Sequence, residues 1–201
     1  LRADVVVVSD TNMWDIDTPA ISTRLRGLVY TQIDITAANR DLHSGMYGGS
    51  ALNPINLLTR ILGELKDAQG VIQIPGFYDR VQELPQELRR QWAALGFDEG
   101  KFLGDIGLSI PSGEAGRSAL ERLWARPTAD VNGIWGGYTG DGSKTVIPAE
   151  AHAKLSFRLV PGQVPTEVIK GLYDFLMDRM PDDAHANIQV FSHGQAIEVP
   201  A

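Results

Sequence analysis

Between Leu25 and Thr36 the residues alternate, with Leu28, Tyr30, Gln32, Asp34 and Thr36 on one side of an extended chain and Val29, Thr31, Ile33 and Ile35 on the other. A strand with one dry face needs lateral partners and a cover over that face, so the remaining sequence must supply both. The turn-rich stretch Asn39 to Ser50 carries Gly45, Gly48 and Gly49. After it, Ile55, Leu58, Ile61, Leu62 and Leu65 recur at helical spacing, which predicts a helix from about Ala51 to Asp67 with Pro54 in its first turn. The strand signal resumes over Ala129–Trp135, breaks at the glycine-rich residues 136–142 and returns over Ala149–Val160, a hairpin pattern. Pro165 and Thr166 open a second amphipathic helix that Pro181 closes, and Ala186–Phe191 reads as a last strand.

The stretch from Val71 to Arg126 differs in texture, with Pro75, Pro85 and Pro111 and short amphipathic patches at Gln86–Leu95 and Arg117–Trp124. It reads as a helical insertion. Val5 to Val8, bounded by Asp4 and by Ser9 and Asp10, has the pattern of a strand buried on both faces. With these two segments set aside, the order is strand, helix, strand, strand, helix, strand, the split βαβ or ferredoxin-like arrangement. The expected fold class is α+β: a two-layer sandwich with a four-stranded antiparallel sheet, two helices on one face and the insertion. The outer strands of such a sheet invite pairing with a second copy, so a homodimer is expected.

Composition narrows the function classes. The 201 residues are 43% hydrophobic, enough for one sizeable core. A formal net charge of -7 argues against nucleic acid and anionic membrane surfaces as partners. No cysteine is present, which excludes disulfides and thiolate metal sites. No apolar run approaches the roughly 20 residues of a membrane span, and the expected location is cytoplasmic. The chain opens at Leu1 without an initiator Met or a basic leader, as a piece of a longer protein would.

Four histidines are present, His43, His152, His185 and His193, and none has a self-contained metal spacing. His152, His185 and His193 read as surface or packing residues. His43 lies in Asp41-Leu42-His43-Ser44-Gly45, a polar loop between the first long strand and the first helix. Such a loop can carry function; alternatively Asp41 and Ser44 are turn formers and His43 is incidental. Asp10, at the end of an apolar strand, is either a site carboxylate or a turn or cap residue. Arg158 projects from the polar face of its strand, toward a ligand anion or a surface ion pair. The glycines at 136, 137, 140 and 142 make no phosphate cradle, because Ser143-Lys144-Thr145 does not supply the P-loop frame.

Five segments together resemble one family: Val5 to Asp10; Arg26-Gly27-Leu28; Asp41 to Gly45 with Gly48-Gly49; Lys144-Thr145-Val146-Ile147-Pro148-Ala149; and Phe157-Arg158-Leu159-Val160-Pro161. They resemble the M20 metallopeptidases, in particular the carnosinase-like dipeptidases. That resemblance implies a lid and dimerisation domain over residues 23–195, with the insertion at about 71–126. It makes residues 1–22 a strand and linker from a catalytic domain, and residues 196–201 the start of the return linker. It implies that Asp10 is a metal ligand and that His43 reaches the partner subunit's active site to stabilise an oxyanion. It further implies that Thr145 and Arg158 contact a peptide or dipeptide substrate, Arg158 at its terminal carboxylate. The parent would use two divalent metal ions, zinc or manganese. With Asp10 alone of the metal set present, this chain would bind no metal pair and would be inactive by itself. An aminoacylase-like amidohydrolase lid and a purely self-associating module are the alternatives.

Overall fold

The computed structural model describes residues 2–7 and 13–199. In chain order its elements are β1 (Arg24–Leu25), β2 (Gly27–Thr36), β3 (Leu42–His43), α1 (Ser44–Tyr47), α2 (Pro54–Gly63), α3 (Gln86–Ala94), α4 (Glu99–Gly104), a π-helical turn (Glu121–Ala125), β4 (Thr128–Gly136), β5 (Val146–Ile147), β6 (Glu150–Leu159), α5 (Pro165–Met177), β7 (His185–Gly194) and β8 (Ile197–Glu198). The main sheet has the order β4-β6-β2-β7 with every neighbour antiparallel. This is the expected ferredoxin-like α+β sandwich. Two short ribbons, β1 with β8 and β3 with β5, were not expected from periodicity.

The register carries the core. Along β2 and β6 the pairs run from Gly27 with Leu159 to Thr36 with Glu150. Val29, Thr31, Ile33 and Ile35 therefore share a face with Ala151, Ala153, Leu155, Phe157 and Leu159, and all nine are buried. Leu57, Leu58 and Ile61 of α2 and Val168, Leu172, Phe175 and Leu176 of α5 close over that face. Truncating one such aromatic to Ala typically costs about 3–5 kcal/mol, whereas an exposed ion pair contributes about 0–1 kcal/mol. Apolar burial under α2 and α5 thus outweighs the surface charges in holding the sheet.

The first helix is shorter than its periodicity predicts. The Asn53 side chain accepts the N–H groups of Ile55 (2.9 Å) and Asn56 (3.4 Å), which starts α2 at Pro54. Leu65 is buried although α2 ends at Gly63, so the apolar repeat outlasts the helix that it marks. The strand expected over Val5–Val8 is not formed in its described part. Val5, Val6 and Val7 are between 76% and 86% exposed and unpaired, and Val8 lies outside the described residues. A β-branched run becomes a strand only beside another strand, and none flanks these three among the described residues.

The insertion holds together by charge at its base. Glu114 and Arg126 are buried and bonded at 2.6 Å, and the Tyr78 hydroxyl donates to Glu114 at 2.8 Å. Glu83 receives Arg117 at 2.5 and 2.6 Å and Arg89 at 2.7 Å. Those bonds, with Arg117's the largest influence, hold the Glu83 carboxyl down at about 2, below its ordinary 4.5. A carboxylate lowered on folding contributes stability above its unfolded value and loses it as pH falls toward the folded one. The Glu83→Gln variant should therefore show a flatter decline of the urea midpoint than the parent as pH is lowered from 4.5 toward 2. Parallel curves would relieve Glu83 of that role.

Candidate functional site

His43 is placed by its own loop and by a distant one. It ends β3, which pairs with β5 so that Leu42 faces Ile147 and His43 faces Val146. The Ser44 N–H donates to the Thr145 carbonyl at 3.1 Å, and the Ala149 N–H donates to Asp41 Oδ1 at 2.9 Å. These bonds fix the Asp41–Gly45 loop against the segment that leads into β6. The imidazole is exposed and caps the short helix α1, its Nδ1 accepting the Gly45 N–H at 2.9 Å. Its Nε2 lies 3.3 Å from Thr145 Oγ1. Two residues 102 positions apart in sequence are thus brought side by side.

Arg158 is elsewhere. It is half-buried near the far end of β6, opposite Leu28 on β2 and Thr128 on β4, on the sheet face away from α2 and α5. Arg158 lies eight positions along β6 from Glu150, which at about 3.3 Å per residue is about 26 Å along the strand. The two residues that the family resemblance groups as substrate contacts, Thr145 and Arg158, stand at opposite ends of the sheet. Arg158 lies over the Tyr30 ring at 5.8 Å and takes part in no ion pair among the described residues. Burial, then the nearby Arg158, lowers the Arg26 guanidinium from its ordinary value, with Asp130 acting in the opposite sense. Arg26 therefore adds a second positive charge at this end, a neighbour that strand periodicity did not single out.

Between the two ends, the open face of the sheet carries a polar row. His152 Nδ1 is 2.7 Å from Asp34 Oδ1, Gln32 donates to Asp34 at 2.7 Å, and Lys154 donates to Gln32 at 2.9 Å. The Trp135 ring stacks on His152 with centroids 5.0 Å apart. Burial raises the Asp34 carboxyl, but the hydrogen bonds from His152, Gln32 and Asn187 outweigh it and hold the group below its ordinary value. His152 is thus bonded to Asp34 and stacked on Trp135 within the open face of the sheet.

The peptidase dimerisation domain model of the M20 family matches residues 24–184. This chain belongs to the M20 peptidase dimerisation-domain family. It is 34% identical over 160 residues to the Cys-Gly metallodipeptidase dug1 of Schizosaccharomyces pombe, a match covering 80% of this chain and 34% of that protein. It is 32% identical over 190 residues to the human beta-Ala-His dipeptidase, covering 94% of this chain and 37% of the other. Among solved structures, human carnosine dipeptidase 1 superposes with a TM-score of 0.81 at 29% identity, over 94% of this chain and 41% of that one. The chain thus spans about a third of the length of the curated relatives it matches.

Among the described residues no three His, Asp or Glu side chains stand together as a metal would require, so these residues alone do not fit a metal centre. Asp10, the metal ligand that the family resemblance implies, lies outside the described residues. Both outer strands of the sheet, β4 and β7, present unpaired edges among the described residues, with Val131 and Ile134 exposed on one and Val190 and Phe191 on the other. No described helix is long and apolar enough to cross a membrane.

Asp41 is the residue that sequence reasoning treated as a turn former and the structure gives a longer reach. Its bond to Ala149 is a side-chain link that ties the His43 loop to the segment leading into β6. Removing it with Asp41→Ala should speed hydrogen exchange of the Ala149 amide by about fivefold, the equivalent of one net hydrogen bond of about 1 kcal/mol. Unchanged exchange would show that the β3–β5 ribbon alone holds the loop.

Proposed function

We propose that this chain is the lid and dimerisation domain of a metal-dependent dipeptidase, and that it serves two active sites of a homodimer at once. One end of its sheet supplies His43 and Thr145, and the other supplies Arg158. The separation of these groups is the observation that carries the reading. A dipeptide extends at most about 7 Å, whereas the two ends of β6 stand about 26 Å apart. A single bound substrate that meets both sets would have to take them from two copies of the chain. The relatives named as Cys-Gly metallodipeptidase and beta-Ala-His dipeptidase support the substrate class.

In this reading the imidazole of His43 donates a hydrogen bond to the oxygen that gains negative charge when the peptide carbonyl is attacked. Such a donor is effective because it is in place before the charge develops. Arg158 offers two parallel N–H donors to the free C-terminal carboxylate, with Arg26 adding positive field at the same end. Tyr30, under the Arg158 guanidinium, restricts the directions in which it can point. The divalent metals, zinc or manganese, would be held by Asp10 together with residues in the rest of the protein.

In the full-length enzyme, His43→Ala should lower kcat by about a hundredfold to a thousandfold while leaving metal content intact. Unchanged turnover would remove His43 from the chemistry. Arg158→Lys should raise KM for substrates with a free C-terminal carboxylate and leave amidated ones unaffected, because Lys lacks the planar fork. The sharing of sites is tested by complementation between His43→Ala and Arg158→Ala chains. Each homodimer should be nearly inactive, whereas randomly mixed dimers should recover roughly a quarter of wild-type turnover, since half are hybrids with one intact site of two. No recovery would place His43 and Arg158 in the service of one and the same chain's site.

A further inference from the structure

The His43 ring is in contact with its own backbone two residues on, and the direction of that hydrogen bond settles where the ring proton lies. A backbone N–H can only donate, so the Gly45 N–H at 2.9 Å requires a bare lone pair on His43 Nδ1. A neutral imidazole carries one proton, which must then sit on Nε2. Nε2 is the nitrogen that faces Thr145 Oγ1 at 3.3 Å. The atom pointing away from the loop is therefore a donor.

Position 45 also has a steric requirement. A Cβ built on Gly45 would stand 2.7 Å from His43 Cε1 and 3.0 Å from His43 Nδ1, closer than van der Waals contact allows. Gly45 is absent from the glycines with positive φ, so backbone conformation is not what demands glycine there. Space for the imidazole is.

From these contacts we propose that Gly45 is a positioning residue that holds His43 in its Nε2–H tautomer. This rests on the reading of His43 as a hydrogen-bond donor to substrate. The missing side chain lets the imidazole lie against the Gly45 N–H; the N–H occupies Nδ1; the proton is left on the nitrogen that faces outward. An alanine at 45 forces the ring off the N–H and frees it to take the opposite tautomer, which would present a bare lone pair to developing negative charge. Asp41, through Ala149, and the β3–β5 ribbon keep the backbone of the loop in place while the tautomer is set within it.

Nitrogen-15 NMR of the wild-type chain at about pH 8, above the ordinary range of a free imidazole, should show His43 with a pyridine-type Nδ1 and a pyrrole-type Nε2. The His43→Ala spectrum assigns the signal among the four histidines. The Gly45→Ala variant should show a mixture of tautomers, and in the full-length enzyme its kcat should fall about tenfold to a hundredfold with KM within about twofold. A wild-type His43 protonated on Nδ1 would overturn the proposal even if no variant folds. So would a Gly45→Ala chain that keeps a pure Nε2–H signal and normal kcat. Normal turnover in His43→Ala would sink the catalytic reading instead, and the spectra would still decide what Gly45 does to the ring.

Discussion

The antiparallel pairing of β2 with both β6 and β7 is the constraint from which the other placements follow. Side chains alternate with a period of two, so a slip of one residue would exchange the faces of the central strand. Ile33 and Ile35 would turn to water, and Asp34 would turn under the helices with no partner for its charge. The apolar set on β6, from Ala151 to Leu159, fits only the register observed, with Val29 across from Phe157 and Ile33 across from Ala153. Once that register is fixed, Arg158 must lie beside Leu28 at one end of the sheet. The segment before Glu150 must reach the loop after Thr36 at the other, where the Ala37 N–H meets the Ala149 carbonyl at 2.8 Å. The neighbourhood of His43 is a consequence of core packing several residues away.

Much of this was legible in the sequence because apolar periodicity and burial are the same physical fact. The four main strands, the two covering helices and the insertion with its patches at 86–95 and 117–124 correspond to observed elements, with boundary shifts of a few residues. Asn53 capping α2 and Leu65 staying buried beyond it account for the largest shift. Val5 to Val7 show why periodicity alone does not make a strand: a β-branched run states a preference for extension, and only a neighbour converts that preference into a strand.

The candidate site was legible as residue types and not as an arrangement. Asp41 to Gly45 stood out as a polar loop flanked by glycine, and Arg158 as a cation in an apolar strand. Nothing local in the sequence could pair His43 with Thr145, since a two-residue ribbon has no periodicity to detect and its strands are about a hundred residues apart. Gly45 was visible only as a turn residue, because the reason for it is the ring of another side chain. Asp34 and His152 were readable as polar positions on two strands. That they are bonded to one another depends on the same register that buries the core.

The chain enters and leaves this fold through one narrow ribbon. Arg24 and Leu25 pair with Glu198 and Ile197, Arg24 and Glu198 form an ion pair, and the Val199 N–H donates to the Thr23 carbonyl at 2.8 Å. Two strands bonded side by side bend and twist readily about their common axis but resist being pulled apart. The sheet beyond them is a single packed body, so a swing about that ribbon would carry both of its ends together. A lever with one pivot and two working tips couples what happens at one tip to the other. Any displacement of Arg158 about that pivot would be geometrically tied to a displacement of His43.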